Sequence, residues 1–395
     1  MAIPNPCRVA VLATHPIHYQ IQLYRRLAQV PGIDVTMLFC SRFGLSRQID
    51  HTFGMAHRWY DESILNGCRH KFLANYSWEK SPSSVFGTIN PGVLVELTRA
   101  RYDVLIVQGY AGVTEWLALA TAKKRSLRVV FRGETILRPC TPPRRAAIGR
   151  MAVQALAKAV DVFLPIGARS REFYLHYGIP SDRLVLSPYA VDNDFFMAQA
   201  NRLKSQKREL LEFMGVSTGV PVILYVSKMT PRKRPLDLLM AFELLQEPAF
   251  LLFVGDGPLK REVQDYATRR QLQNVMFVGF QRQETLSQFY AVGDVFVLPS
   301  EYEPWGLVIN EAMCFSLPII TTDGVASSAD LVKEENGFVY EAGNVKALES
   351  ALRILVSDAA RRREMGRQSS KIVEGWDLDA SVRGICQGLS VALAH

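Results

Sequence analysis

No apolar run in this chain of 395 residues approaches the roughly 18 residues that a membrane-crossing helix needs. The start, MAIPNPCRVAVLATH, has no charged segment leading into a long apolar one, so no secretory leader is read there and a cytoplasmic protein is expected. Cysteine is scarce. The six, Cys7, Cys40, Cys68, Cys140, Cys314 and Cys386, are scattered with no CxxC pair, a pattern that suggests neither a zinc site nor a disulfide frame and leaves reduced, mostly buried thiols. No internal repeat is detectable. Disorder is excluded by composition, since 48% of the residues are hydrophobic and 21% charged, as in a globular protein with ample core.

What is present is an alternation. Short apolar runs at 8–13 (RVAVLA), 33–39 (IDVTMLF), 103–108 (DVLIVQ), 127–131 (LRVVF) and 161–165 (DVFLP) in the first half, and at 222–226 (VILYV), 250–254 (FLLFV), 274–280 (NVMFVGF), 295–298 (VFVL) and 317–322 (LPIITT) in the second, read as buried strands. Segments with helical spacing lie between them. This predicts an α/β protein of two doubly wound, Rossmann-like domains, which the length also suits. Residues 40–90 read as an irregular aromatic and polar insertion, and 201–215 (NRLKSQKRELLEFMG) as an exposed helix. The net charge of +8 implies an anionic partner. A nucleic-acid reading would start at 201–215, but no aromatic interleaving or recognition motif accompanies it, so no nucleic acid is expected.

One stretch organises the rest: EYEPWGLVINEAM, residues 301–313. It joins two strands of a parallel sheet, whose ligands gather at the strand carboxyl ends. A helix beginning near Gly306, Leu307 and Val308 presents free amides and a positive dipole end that suit a diphosphate. Glu303 then precedes the helix and Glu311 lies on its second turn, up to about 12 Å apart along the axis. That is roughly the span from the sugar of a nucleotide sugar to its ribose, and carboxylates accept hydrogen bonds from vicinal hydroxyls well.

EPWGLVINEAM is similar to the signature of the retaining family-4 glycosyltransferases. The resemblance covers roughly residues 185–345 with ordered motifs and the first half more loosely. It implies the GT-B fold, two Rossmann-like domains facing a cleft. Residues 1–190 would bind the acceptor, 191–375 the nucleotide sugar, and a final helix, 376–395, would return to the first domain. By the same resemblance Glu303 contacts the donor sugar and Glu311 the ribose hydroxyls. SKMTPRKRPLDLLMAF resembles the family's glycine-arginine, lysine-glycine pattern, with Lys228 in the arginine's place and Lys233 in the lysine's. Two cations answer the charge that grows on a departing nucleoside diphosphate; a lysine for an arginine keeps the charge and loses the bidentate geometry. GDGP places Gly255 near the nucleotide, and Phe280 stands where relatives meet the base. Several positions depart from the family's glycines: Ser227, Arg234, Ser316, the VASS at 325–328 that replaces a glycine pair and, in the inter-domain segment SPYAVDNDFF, Ala190. Tyr189 departs there too, from an asparagine.

In the first half, the family's loop beside the donor phosphates and the acceptor corresponds to THPIHYQ. It is often glycine-rich, and here it carries His15, Pro16 and His18. The imidazoles either meet phosphate or acceptor, or bond to neighbouring backbone. Arg132 and Glu134, in RGE after the fourth strand, are either acceptor-pocket residues or a structural ion pair. The basic segment Arg144 to Lys158 either lies on the anionic inner face of a membrane, as in relatives with lipid-linked acceptors, or is a solvated helix face.

The resemblance thus implies a retaining glycosyltransferase moving a sugar from a nucleotide sugar to a hydroxyl acceptor on a glycan, glycolipid or small molecule. No metal and no cofactor are expected; the nucleotide sugar is a substrate, with UDP favoured slightly over GDP on frequency alone. One alternative is a sugar-phosphate synthase, which would need extra cations around His15, His18 and Arg132. Another is a non-catalytic nucleotide-sugar-binding protein.

Overall fold

The computed structural model describes residues 6–45, 48–50, 55–57, 60–79, 81, 84–138 and 143–394. Two compact units emerge. The first is made chiefly of the chain as far as Tyr189 together with the last helix from Leu378, the second chiefly of Ala190–Asp377.

As far as Tyr189 the strands are β1 (Cys7–Ala13), β2 (Ile33–Phe39), β3 (Gln48–Asp50), β4 (Met55–His57), β5 (His70–Phe72), β6 (Val104–Val107), β7 (Arg128–Phe131) and β8 (Val162–Phe163). The helices are α1 (His18–Leu27), α2 (Gly92–Arg99), α3 (Val113–Lys124), α4 (Pro143–Ala159) and α5 (Ala168–His176). Six strands form a parallel sheet in the order β5-β2-β1-β6-β7-β8, while β3 and β4 pair with each other. The pleat sends Cys7, Val9, Val11 and Ala13 to one face and Ala10 and Leu12 to the other, all of them buried. Burial on both faces is why the strand reads as an unbroken apolar run. Each fully buried valine or leucine contributes about 1.5–3 kcal/mol, enough to offset the roughly 1–2 kcal/mol of ordering its backbone. The short β5 and the helix α2 lie in or beside the stretch that reads as irregular, because three residues, His-Lys-Phe, carry no periodic signal of their own.

The second unit holds β9 (Val222–Val226), β10 (Phe250–Val254), β11 (Val275–Gly279), β12 (Val295–Leu298), β13 (Ile319–Thr322) and β14 (Gly337–Tyr340). Its helices are α6 (Asn193–Leu203), α7 (Lys207–Phe213), α8 (Pro235–Leu244), α9 (Lys260–Arg269), α10 (Gln283–Val292), α11 (Leu307–Cys314), α12 (Ser328–Leu331), α13 (Val345–Ser357) and α14 (Ala359–Glu374). The sheet order β11-β10-β9-β12-β13-β14, again parallel, repeats that of the first unit. The charged stretch 201–215 is not one helix. It ends α6, passes through a 3-10 turn and forms α7, because Leu203 and Leu211 are both buried.

The last helix, α15 (Leu378–Ala394), belongs to the first unit and buries Val382, Ile385, Leu389 and Ala392 in its core. Gly384 lets it lie against the chain at Leu186, whose carbonyl oxygen would be 2.1 Å from an added Cβ. Ser381 Oγ donates to the Pro188 carbonyl, and Ser187 Oγ donates to the Ser381 carbonyl at 3.2 Å. The helix therefore pins the segment that carries Tyr189. No helix among the described residues is long and apolar enough to cross a membrane. Cys7, Cys40, Cys68, Cys314 and Cys386 are free thiols; Cys140 lies outside the described residues.

Candidate active site

In a sheet ordered 3-2-1-4-5-6 the winding reverses between the first and fourth strands, and the loops leaving those two strands open a crevice. In the second unit these strands are β9 and β12. The loop after β9 carries Lys228, Arg232 and Lys233, and the loop after β12 carries Glu303. A 3-10 turn, Pro231–Lys233, opened by its proline, buries Lys233. Its ammonium donates to Glu303 Oε2, with the two side chains 11% and 13% exposed. Arg232 Nη2 stands 3.7 Å from the same oxygen, and the Tyr225 hydroxyl donates to the Lys228 carbonyl at 3.1 Å. Burial is the main reason the Lys233 ammonium titrates below its ordinary value; Glu303 draws it back up, and Arg232 and Lys228 lower it further. Two cations thus meet one carboxylate, with Lys228 close enough to act on Lys233. An anion arriving there would favour the charged lysine and balance the loop pair.

Glu303 is held through its backbone. Its N–H donates to Gly324 O at 3.0 Å, and its carbonyl accepts from Ala326 N at 2.9 Å. The Glu301 N–H donates to Arg232 O at 2.9 Å, which ties the two loops together. Trp305, 2% exposed, donates from Nε1 to Asn310 Oδ1 at 2.9 Å and lies 5.2 Å from the Trp376 ring. The tryptophan of EPWG is therefore an anchor for the first turns of α11. Gly306 precedes that helix with φ 90°, and an added Cβ would come within 3.0 Å of Leu298 and 3.3 Å of Glu303. Only glycine suits both the left-handed backbone and that contact. Leu307 and Val308 open α11, so their amides have no intrahelical acceptor.

Glu311 sits on the second turn of α11, where its Oε2 accepts from the Tyr290 hydroxyl at 2.6 Å. Burial pushes its carboxyl up to about 7, and the tyrosine bond works against that rise. Tyr290 is itself fully buried and stacked 5.5 Å from Phe315. The sequence reading missed it because a tyrosine on an amphipathic helix looks like core. Gly255 and Gly257 serve a contact between loops: added Cβ atoms would lie 2.0 Å from Ser227 O and 2.5 Å from Met229 O. GDGP therefore braces the Lys228 loop. Phe280 follows the end of β11, half-buried.

Two of the departures from glycine now have a physical meaning. Arg234 and Ser316 keep left-handed backbones, with φ 46° and 56°. Arg234 is secured by Asp237 at 2.7 Å and Glu301 at 3.3 Å. Ala190 lies outside the positive-φ residues, so the turn into the second unit is built without a left-handed residue there. Asp192 caps α6 instead, its side chain accepting from Phe195 N at 3.0 Å.

The first unit arranges its candidates differently. Arg132 is 2% exposed: its Nε donates to Ser187 Oγ at 3.3 Å and its guanidinium lies 4.9 Å from the Tyr189 ring. Among the described residues no ion pair joins it to Glu134, which corrects the reading of RGE as a structural ion pair. Glu134 is exposed, and its Oε1 accepts from the hydroxyls of Tyr19, at 3.0 Å, and Tyr189. Those rings meet edge to face at 5.3 Å. His15 bonds through Nδ1 to the Thr14 hydroxyl at 2.9 Å, and its ring meets Phe43 edge-on. Burial lowers it to about 4, so it is a neutral imidazole at physiological pH. His18 stacks on Tyr60 at 6.2 Å. On α4, Ile148, Arg150, Met151 and Lys158 are exposed, while the side chains of Arg144 and Arg145 lie outside the described residues. Among the described residues no three histidine, cysteine, aspartate or glutamate side chains converge as a metal site requires.

Comparison with known proteins agrees with this geometry. Residues 206–372 match the family profile of glycosyl transferases group 1. The sulfoquinovosyl transferase SQD2 of Arabidopsis thaliana is 28% identical over 78% of this chain and 60% of its own length. Among solved structures, a glycosyltransferase from Rickettsia africae superposes with a TM-score of 0.76 at 15% identity, covering 98% of this chain and 99% of that one. Anabaena HepE, solved in complex with UDP, gives 0.73 at 16%, covering 97% and 99%. Likeness at this identity establishes the fold, which is GT-B. The chain spans about half to three-fifths of the length of the curated relatives it matches.

Proposed function

We propose that this chain, whose residues 206–372 match the family profile of glycosyl transferases group 1, is a retaining glycosyltransferase that moves a sugar from a nucleotide sugar to a hydroxyl acceptor. One observation carries the reading: the buried Lys233–Glu303 pair, flanked by Arg232 and Lys228, at the switch point beside the head of α11. In this reading Lys233 and Lys228, with the Leu307 and Val308 amides, stabilise the departing diphosphate, so no metal is called for. Glu303 orients the donor sugar's hydroxyls, and Glu311 takes the ribose. The similarity of HepE, which binds UDP, supports a UDP-sugar over a GDP-sugar. Retention rests on the family resemblance.

The sugar-phosphate synthase alternative also fits the fold, since a sucrose-phosphate synthase from Thermosynechococcus elongatus superposes with a TM-score of 0.67 at 19% identity over 96% of this chain and 98% of that one. The acceptor reading of the first unit rests on Glu134 and its tyrosines. Peripheral contact with a membrane is supported by the exposed Ile148 and Met151 beside Arg150 and Lys158 on α4, a pairing of apolar and basic side chains that suits an anionic interface. Co-sedimentation with anionic but not neutral vesicles is the result expected.

Thermal shift of the full chain against UDP-, GDP-, ADP- and dTDP-sugars, followed by transfer assays with the stabilising donor, tests the main reading. A UDP-sugar should raise the melting temperature by several degrees at about 100 times its Kd, since such occupancy contributes about 2.7 kcal/mol. No response to any nucleotide sugar would reject it.

A further inference from the structure

We infer that Tyr290 is a positioning residue for the nucleotide: it fixes the Glu311 carboxylate so that one oxygen, Oε1, faces the ribose, and so makes the site select ribonucleotides over 2′-deoxyribonucleotides. This rests on the reading of Glu311 as the ribose-binding carboxylate and names what sets its geometry. Tyr290 lies near the end of α10 and Glu311 on the second turn of α11, and both helices pack on α6. The phenol donates to Glu311 Oε2 at 2.6 Å. Its ring is caged by Phe315, stacked at 5.5 Å, by Phe296 at 6.1 Å and by Phe196, edge to face at 6.5 Å. Such close packing holds it in one rotamer. The other carboxylate oxygen, Oε1, has no hydrogen bond among the described residues and is not one of the buried polar atoms left unpartnered, so it opens to solvent. A carboxylate fixed by one oxygen presents the other in a set direction, with little rotamer freedom left to lose on binding.

That direction selects hydroxyl donors, because an ionised carboxylate only accepts. Ribose offers two adjacent hydroxyls and 2′-deoxyribose one, and a site built to accept from both rejects the form that lacks one. The Tyr290 bond also decides where a proton goes. Since Oε2 already receives the phenol's hydrogen, a proton taken up by Glu311 goes to Oε1 and turns the ribose-facing acceptor into a donor. Burial pushes the carboxyl up to about 7, and the Tyr290 bond holds it lower than burial alone would. Among the described residues no charged side chain acts on Glu311. Cys314, one turn further along α11, acts on Tyr290, and Asp192 at the head of α6 acts on Cys314. Burial keeps both the phenol and that thiol protonated. Glu311 therefore titrates near neutrality, and Tyr290 sets how much of it is ionised.

Titration calorimetry of the full chain with UDP and GDP, each set against its 2′-deoxy form, across the pH range spanning the Glu311 titration tests this. In alkaline buffer the wild type should bind a ribonucleotide about tenfold more tightly than its 2′-deoxy form, the scale of one hydrogen bond to a charged group. That ratio should shrink as pH falls through about 7. Tyr290→Phe keeps the ring and removes the hydroxyl, so the ratio should fall to about threefold or less, and the pH below which ribonucleotide affinity is lost should move up. In Glu311→Gln the ratio should be small and independent of pH, and adding Tyr290→Phe should change it no further, as for two residues acting as one. Titration of the phosphates is common to all these proteins and cancels in the ratio. An unchanged ratio and pH profile in Tyr290→Phe, beside a wild type that discriminates, overturns the inference and leaves the transferase reading standing. Should Tyr290→Phe fail to fold, a wild-type ratio that stays flat with pH overturns it. A wild type that binds the ribo and deoxy forms equally overturns it through Glu311, and one that binds no nucleotide rejects the transferase reading as well.

Discussion

The two units share one strand order and present opposite chemistry at their strand ends. In the second, Arg232 and Lys233 meet a single carboxylate, Glu303, with Lys228 acting on Lys233. In the first, the loops carry tyrosines, a neutral His15 and an exposed Glu134, with Arg132 buried 4.9 Å from the Tyr189 ring. Topology decides where a ligand sits, and the few side chains after each strand decide its charge.

The largest break in that contrast comes from Lys233. Removing it in Lys233→Ala should lower kcat about 10²–10³-fold, the scale of losing one group that stabilises a charged transition state. Glu303→Ala leaves an ammonium almost buried without its partner, so it should also cost stability, toward about 3–5 kcal/mol as for a broken buried pair. Activity of either variant within threefold of wild type would remove the roles given to the pair.

Gly306→Ala should come next. A left-handed alanine costs about 1–2 kcal/mol, and its Cβ would crowd Leu298 and Glu303. A drop of several degrees in melting temperature, with weaker nucleotide binding, is expected. An unchanged Kd would mean that the head of α11 does not touch the ligand.

Glu311→Gln sharpens the comparison by pH. The folded chain holds the Glu311 proton up to about 7, against an ordinary 4.5. Between those values it binds more protons than the unfolded chain, so this group's contribution to stability falls as pH rises through the window and stays low above it. In the nucleotide-free protein the glutamine variant should therefore melt higher than wild type at pH 8 and equally at pH 4, when melting curves are compared. Parallel pH profiles for the two proteins would show that the carboxyl is not strained by burial.

The smallest effect is expected at Ser316. Ser316→Gly relieves a φ of 56° and should gain under about 1 kcal/mol, because the glycine's greater freedom in the unfolded chain offsets part of the relief. Chemical denaturation measures it, and a clear loss of stability would show that the serine side chain is needed.

Much of this was legible before any coordinates. The alternation of apolar runs announced two doubly wound sheets, since strands buried on both faces cannot hide their composition. EPWGLVINEAM announced a helix head with a carboxylate on either side of it, because a glycine in that position and the helical spacing after it are local features. The strand β5 and the broken helix at 201–215 were not legible, being set by an edge pairing and by two buried leucines.

By itself, then, the sequence determined the fold class and the identity of the charges beside the second unit's helix head, for these follow from periodicity and from neighbours along the chain. Only tertiary structure decided which charges meet. It withdrew Arg132 from the surface, turned His15 into a neutral ring, gave Glu311 to Tyr290, and brought Tyr19 and Tyr189, 170 residues apart (189 − 19), onto one oxygen of Glu134. Burial and hydrogen bonding across such separations depend on how elements pack, and no spacing along the chain encodes that.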